Sequence, residues 1–168
     1  MPGKFFDLLQ KYHGLGERER LLLRLAAILH DCGKFISMSA PGECAYQIIM
    51  STEILGISHM EREMVASIVR YNTMELPNFN EFDGKLGNDE YLIVMKLAAI
   101  LRVCNALDRS HRQKFADMKL TINDSNIVIT TAYPDNITLE KKTLQDKQDF
   151  FEEVYGLGFE IKQKKKKQ

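Results

Sequence analysis

The sequence predicts an α+β fold, predominantly α, with a helical domain over residues 1–117 and a small β-β-α-β segment over 118–168. Three observations lead there. Apolar residues recur at helical spacing through most of the first 117 positions, and the texture turns β-branched at "KLTINDSNIVITT". Hydrophobic residues make up 45% of the 168 and charged ones 27%, the balance of a globular chain with a core.

"KFFDLLQKY" puts Phe5, Leu8, Leu9 and Tyr12 at helical spacing, and the glycines of "HGLG" end the helix. "ERERLLLRLAAILHD" opens with charges and turns apolar on nearly every face, so it is expected to be the central buried helix. Gly33 stands where a left-handed C-terminal cap would fall. "ECAYQIIMSTEIL" reads as a third helix, and in "SHMEREMVASIVRY" Ser58 and Glu61 form a capping-box pattern before an apolar run. Residues 72–89 are rich in Asn, Gly and Pro and lack a period, a connection long enough to be either functional or loose.

"NDEYLIVMKLAAILRVCNALDRSHRQKF" is a long helical pattern with a bend or break expected near Ser110. "KLTI" and "NIVITT" flank "NDSN" as a hairpin. "ITLEKKTLQDKQDFFEEVYG" starts with strand character and continues as a helix, and "LGFEIK" reads as a closing strand. Residues 163–168 are expected to form a basic, disordered tail.

Composition narrows the function. The net charge is zero, with 14 Lys/Arg against 15 Asp/Glu up to Asp117 and 9 against 8 after it. A global positive field for nucleic acid is therefore excluded, and any anion site must be a local convergence of cations. Cys32, Cys44 and Cys104 fit no zinc or redox spacing and read as reduced thiols. "LLLRLAAIL" is the longest apolar stretch and is too short to cross a bilayer, so we expect a soluble, cytoplasmic protein with no membrane partner. Helical pattern begins within about four residues of the start, which suggests a piece of a longer protein.

Three blocks, "LLLRLAAILHDCGKFIS", "STEILGISHMEREMVASIVRY" and "LAAILRVCNALDRSHRQ", with the ending "FEEVYGLGFEIK", resemble the C-terminal region of the exopolyphosphatase/guanosine-pentaphosphate phosphohydrolase (Ppx/GppA) family. The resemblance covers almost the whole chain and implies an HD-type helical domain, named for its His–Asp pair. It also implies that the catalytic machinery lies in two N-terminal actin-like domains, which nothing here resembles. This chain would then be a non-catalytic C-terminal module that contributes polyphosphate guidance and homodimer contacts.

An HD phosphohydrolase needs several ligands around a divalent Mn or Mg ion, because the metal must acidify a water and neutralise charge on phosphoryl oxygens. His30 and Asp31 are the candidate ligands, with Glu43 of "ECAY" as a further one. Where the resemblance implies additional ligands, the chain carries Asn72 and Asn105, and His13 lies at the far end of its helix beside a breaker. Two or three donors seldom seat a reactive ion, so no cofactor is firmly assigned. The competing structural reading has His30 bracing the helix end and Asp31 accepting backbone N–H groups.

The stronger candidates are cations. Arg102 and Arg109 share a helical face, Arg112 lies three residues on, Arg70 ends a neighbouring helix and Lys34 follows the His–Asp pair. Guanidinium forks grip phosphate oxygens two at a time, which suits polyphosphate or guanosine pentaphosphate. The alternative is that Arg102 and Arg109 form solvated pairs with Glu61, Glu63 or Asp108. His111 would join the patch or sit as a surface histidine. Two other functional classes compete with this one: a self-sufficient HD-type metal phosphohydrolase acting on a nucleotide, and a non-catalytic nucleotide- or protein-binding domain.

Overall fold

The computed structural model describes residues 1–82 and 86–164. Helices dominate and a single three-stranded sheet accompanies them among the described residues, so the class is α+β, predominantly α. The chain divides into two compact units, Gly14–Leu101 and Met1–His13 with Arg102–Gln168. No described helix is long and apolar enough to cross a membrane.

In the unit Met1–His13 with Arg102–Gln168, α1 (Pro2–Leu8) and the short α2 (Gln10–His13) bury Phe5, Phe6 and Leu9. Gly14, at φ +66, ends this pair in a conformation a side chain would strain. Strands β1 (Lys119–Asn123) and β2 (Asn126–Thr131) form the expected hairpin, turning at Asp124 with φ 50. The strand β3 (Gly158–Gln163) pairs parallel to β2, giving the order β1-β2-β3.

A parallel neighbour requires a crossover, and the chain supplies two helices, α7 (Thr138–Gln145) and α8 (Gln148–Tyr155). The start of that segment is not a strand, because Asn136 Oδ1 accepts the Thr138 N–H at 2.6 Å and turns the chain into the helix. Gly156, at φ 65, provides the left-handed cap of α8. The half-buried Phe159 ring meets the buried Phe5 edge-on and the buried Phe151 at a tilt, and Lys4 ties α1 to the segment before β1 by donating to the Ala116 carbonyl at 2.9 Å. Residue 163 belongs to the sheet and not to a tail: the Gln163 amide donates to the Tyr133 and Asp135 carbonyls at 2.8 Å, and Lys164 N–H to Thr131 O. The remainder of the expected basic tail, 165–168, lies outside the described residues.

In the unit Gly14–Leu101, α3 (Glu17–Leu29) begins where Glu19 accepts the Gly16 N–H at 2.7 Å. It is not the central buried helix. Only Leu22, Leu23 and Ala26 are buried, while Ile28 is 74% exposed. An apolar run of this kind looks all-round buried in sequence, yet only one stripe can face a single neighbour, here α5. The central positions go to α5 (His59–Thr73), buried at nearly every residue from Glu63 to Asn72, and to α6 (Asn88–Leu107), which contributes to both units.

The expected capping box opens α5: Ser58 Oγ accepts the Glu61 N–H at 3.2 Å and Glu61 accepts the Ser58 N–H at 2.7 Å. The described part of the 72–89 connection holds a 3₁₀ turn, Phe79–Glu81. Its rings pack in a relay, Tyr71 on Phe82 at 5.6 Å, Phe82 on Tyr91 at 5.4 Å and Tyr91 on Phe79 at 5.5 Å between centroids. Residues 83–85 lie outside the described residues.

Candidate functional site

The "HDCGKF" stretch is built by an abrupt change of helix. His30 caps α3, and residues Cys32–Phe35 tighten into a 3₁₀ turn. Gly33 is not a left-handed cap. It is buried within that turn, where a Cβ would lie 1.9 Å from Pro41 O and 2.5 Å from Ala45 N. Helix α4 (Pro41–Ser51) thus rests directly on the turn, and Gly42 repeats the device on its other side, where a Cβ would lie 2.7 Å from Arg70 O. Two glycines in backbone contact bring the His–Asp turn, the start of α4 and the end of α5 together.

At this corner His30 Nδ1 lies 2.8 Å from Ala27 O, so it carries the proton and donates, bracing the helix end. Its Nε2 is 3.4 Å from Asp31 Oδ1. The same Asp31 oxygen receives Lys34 Nζ at 2.7 Å, and Glu43 Oε2 receives Arg70 Nη2 at 2.8 Å. Burial pushes the Cys32 thiol up, so it is not poised as a thiolate. The residues do not fit a divalent metal: each carboxylate already neutralises a cation, and no group of three candidate ligands exists among the described residues. His13 serves the other unit's core instead, 3.0 Å from Phe6 O and against the Phe6 ring.

Among the candidate phosphate ligands, Lys34 and Arg70 are each paired with a carboxylate, Asp31 and Glu43 respectively. Arg70 is also fixed by aromatic faces, its guanidinium carbon 5.1 Å from the Tyr46 ring and 5.5 Å from Tyr71. Tyr46 in turn donates its hydroxyl to the buried Glu63, and burial first, then that bond, pushes the phenol well above its usual range.

The other three cations belong to the second unit. The Arg102 guanidinium lies 4.3 Å over the Phe150 ring. Arg109 and Arg112 are exposed and form no ion pair among the described residues. Of the acidic partners considered, Glu61 takes Arg18, Glu63 takes Tyr46, and Asp108 accepts the Gln113 N–H. His111 is exposed, at φ 53.

Two charge sites escape sequence reasoning. Arg18 grips both oxygens of Glu61 and, with the Ser58 backbone, holds that carboxyl at about 2. Lys114 pairs at 3.0 Å with Glu140, whose side chain is fully buried and also accepts from Ser110 at 2.6 Å. Neither pair has a spacing signal, since the partners stand 43 and 26 residues apart.

Residues 3–149 match the family model described as Ppx/GppA phosphatase, domain III. No curated protein matches the chain.

Proposed function

Since this chain belongs to the Ppx/GppA phosphatase family through its domain III, we propose that it is a non-catalytic, cytoplasmic module that binds a phosphoanhydride chain and supplies homodimer contacts. The ligand class is polyphosphate or the pentaphosphate of guanosine. One observation carries the reading: Asp31 and Glu43 are already matched by Lys34 and Arg70, so the charges at the His–Asp turn are an ammonium and a guanidinium that can exchange anions in place of a metal seat. In the other unit, exposed Arg109 and Arg112, with Arg102 held on Phe150, are separate donors that suit phosphate oxygens. Dimer contacts suit the open edge of β1 and the half-exposed Leu139 on α7.

The test measures orthophosphate and binding together. The purified chain is incubated with long-chain polyphosphate, and separately with nucleotides, with and without manganese. We expect no phosphate release and a salt-sensitive affinity for polyphosphate that falls in Arg102→Ala and Arg109→Ala. Manganese-dependent release abolished by His30→Ala would replace this reading with a self-sufficient phosphohydrolase. Sedimentation of the same sample reads the dimer.

A further inference from the structure

Resting on the phosphate-binding reading, we infer that Asp31 and Glu43 are internal competitor anions that latch Lys34 and Arg70 until a phosphate chain displaces them. The site is then a latched anion site, whose affinity is set as much by its carboxylates as by its cations.

The geometry separates a fixed part from a movable part. Arg70 is held between the Tyr46 and Tyr71 rings and only 22% of its side chain is exposed, whereas its partner Glu43 is 40% exposed. Asp31 is 39% exposed beside Lys34. Both carboxylates are partly in water, so moving one costs its local contacts (His30 for Asp31, Gln47 for Glu43) and little packing. Moving Arg70 costs its packing on both rings.

The Glu43 grip is also incomplete. It engages Nη2 at 2.8 Å, while Nε, the second donor on that edge of the guanidinium, is buried with no hydrogen-bond partner. A phosphate can fill both donors of a fork, and Glu43 as it stands fills one, so Nε is a donor that an incoming phosphate oxygen can still take up. Lys34, a point charge on a flexible stem, exchanges Asp31 for a neighbouring phosphate with little geometric demand.

Charge explains why the latch matters. With both pairs closed the two cations and two carboxylates sum to zero, so the corner exerts little pull on a distant anion. A phosphate chain that docks must also tolerate the carboxylates it displaces. Removing one carboxylate's charge leaves its cation unpaired and removes the competitor.

The test uses the full chain and titrates tripolyphosphate and long-chain polyphosphate by calorimetry. Glu43→Gln is expected to tighten binding about five- to tenfold, the scale of one exposed ion pair plus a removed like charge. Glu43→Asp, which keeps the charge, stays near the parent, and Glu43→Gln/Arg70→Ala loses the gain. Asp31→Asn tests the second latch separately, so a failure of one variant to fold leaves the other to decide. If Arg70→Ala weakens binding while Glu43→Gln and Asp31→Asn leave it unchanged, the latch is wrong and the phosphate reading survives. If neither Arg70→Ala nor Lys34→Ala weakens binding, phosphate does not bind at this corner and both ideas fail there.

Discussion

The Lys114–Glu140 pair gives the most decisive test of the packing of its unit. Glu140 is fully buried, Lys114 is 10% exposed, and the ammonium also donates to Asn136 O at 2.8 Å. Burial pushes the Glu140 carboxyl up, but the bonds from Ser110 and Lys114 outweigh it and hold the group below the usual glutamate range. Lys114→Met removes the counter-charge and leaves a buried carboxylate with Ser110 and its own backbone N–H. Breaking a buried pair from one side costs about 3–5 kcal/mol, and the retained hydroxyl points to the lower end, about 3. For a chain of this size that is a fall in Tm of about 6–12 °C. Glu140→Gln should cost less, about 1–2 kcal/mol, because Lys114 keeps the Asn136 carbonyl and some water.

The pH dependence fixes the cause. In the parent, Glu140 has a depressed folded pKa, so its contribution is present above the unfolded value of about 4.3 and is lost as pH falls through the folded one. In Lys114→Met the unpaired buried carboxyl has a raised pKa, so its penalty is relieved as pH falls. The stability gap between the two proteins therefore narrows below about pH 5. Urea denaturation at pH 7 and pH 4 reads it. A gap under about 1 kcal/mol at pH 7, or one that does not change with pH, would refute the argument.

Gly33→Ala should destabilise by about 3 kcal/mol or more, since backbone atoms of α4 must move, whereas Gly14→Ala, open in space, should cost only the left-handed strain of about 1–2 kcal/mol; paired denaturation curves compare them. Glu61, held at about 2 by Arg18, contributes stability that is complete above its unfolded pKa and disappears as pH falls towards 2. Because Arg18 is 49% exposed, water screens the pair and the contribution should be small, and Arg18→Ala should remove it most visibly at low salt. Arg109→Ala/Arg112→Ala should flatten the slope of log affinity for polyphosphate against log salt by roughly 1.5, while Arg70→Ala should change it little, because exchange of an internal carboxylate releases no net counterion.

Local signals carried much of the fold. The capping box at Ser58, the stop at Gly14 and the "NDSN" hairpin were legible because each is decided by residues within a few positions. The break of the late helical pattern into α7 and α8 was not, since apolar spacing continues across Asp146–Lys147. Nor was the role of Gly33. A glycine after a helix looks the same in sequence whether it adopts positive φ or admits a neighbouring backbone, and only Pro41 and Ala45 distinguish the two. The association of α1 with the late sheet, through Lys4 and Phe5, depends on partners more than a hundred residues away.

For the site, the residue types were legible and their pairing was not. His30, Asp31 and Glu43 are chemically suited to a metal; the i,i+3 spacing points Lys34 to Asp31, but the sequence shows nothing that assigns Arg70 to Glu43. Yet that assignment decides the chemistry. Two carboxylates need roughly two positive charges, and a divalent ion or a Lys and an Arg meet that need equally in charge. Their chemistry differs. A metal keeps an open position and acidifies water there, whereas an ammonium and a guanidinium have only N–H donors and can exchange one anion for another. With the cations in place, seating a metal would require expelling Lys34 and Arg70, and Arg70 is pinned between two tyrosine rings. On the proposed reading, the cations that withhold a metal from the His–Asp corner are the same ones that would receive phosphate.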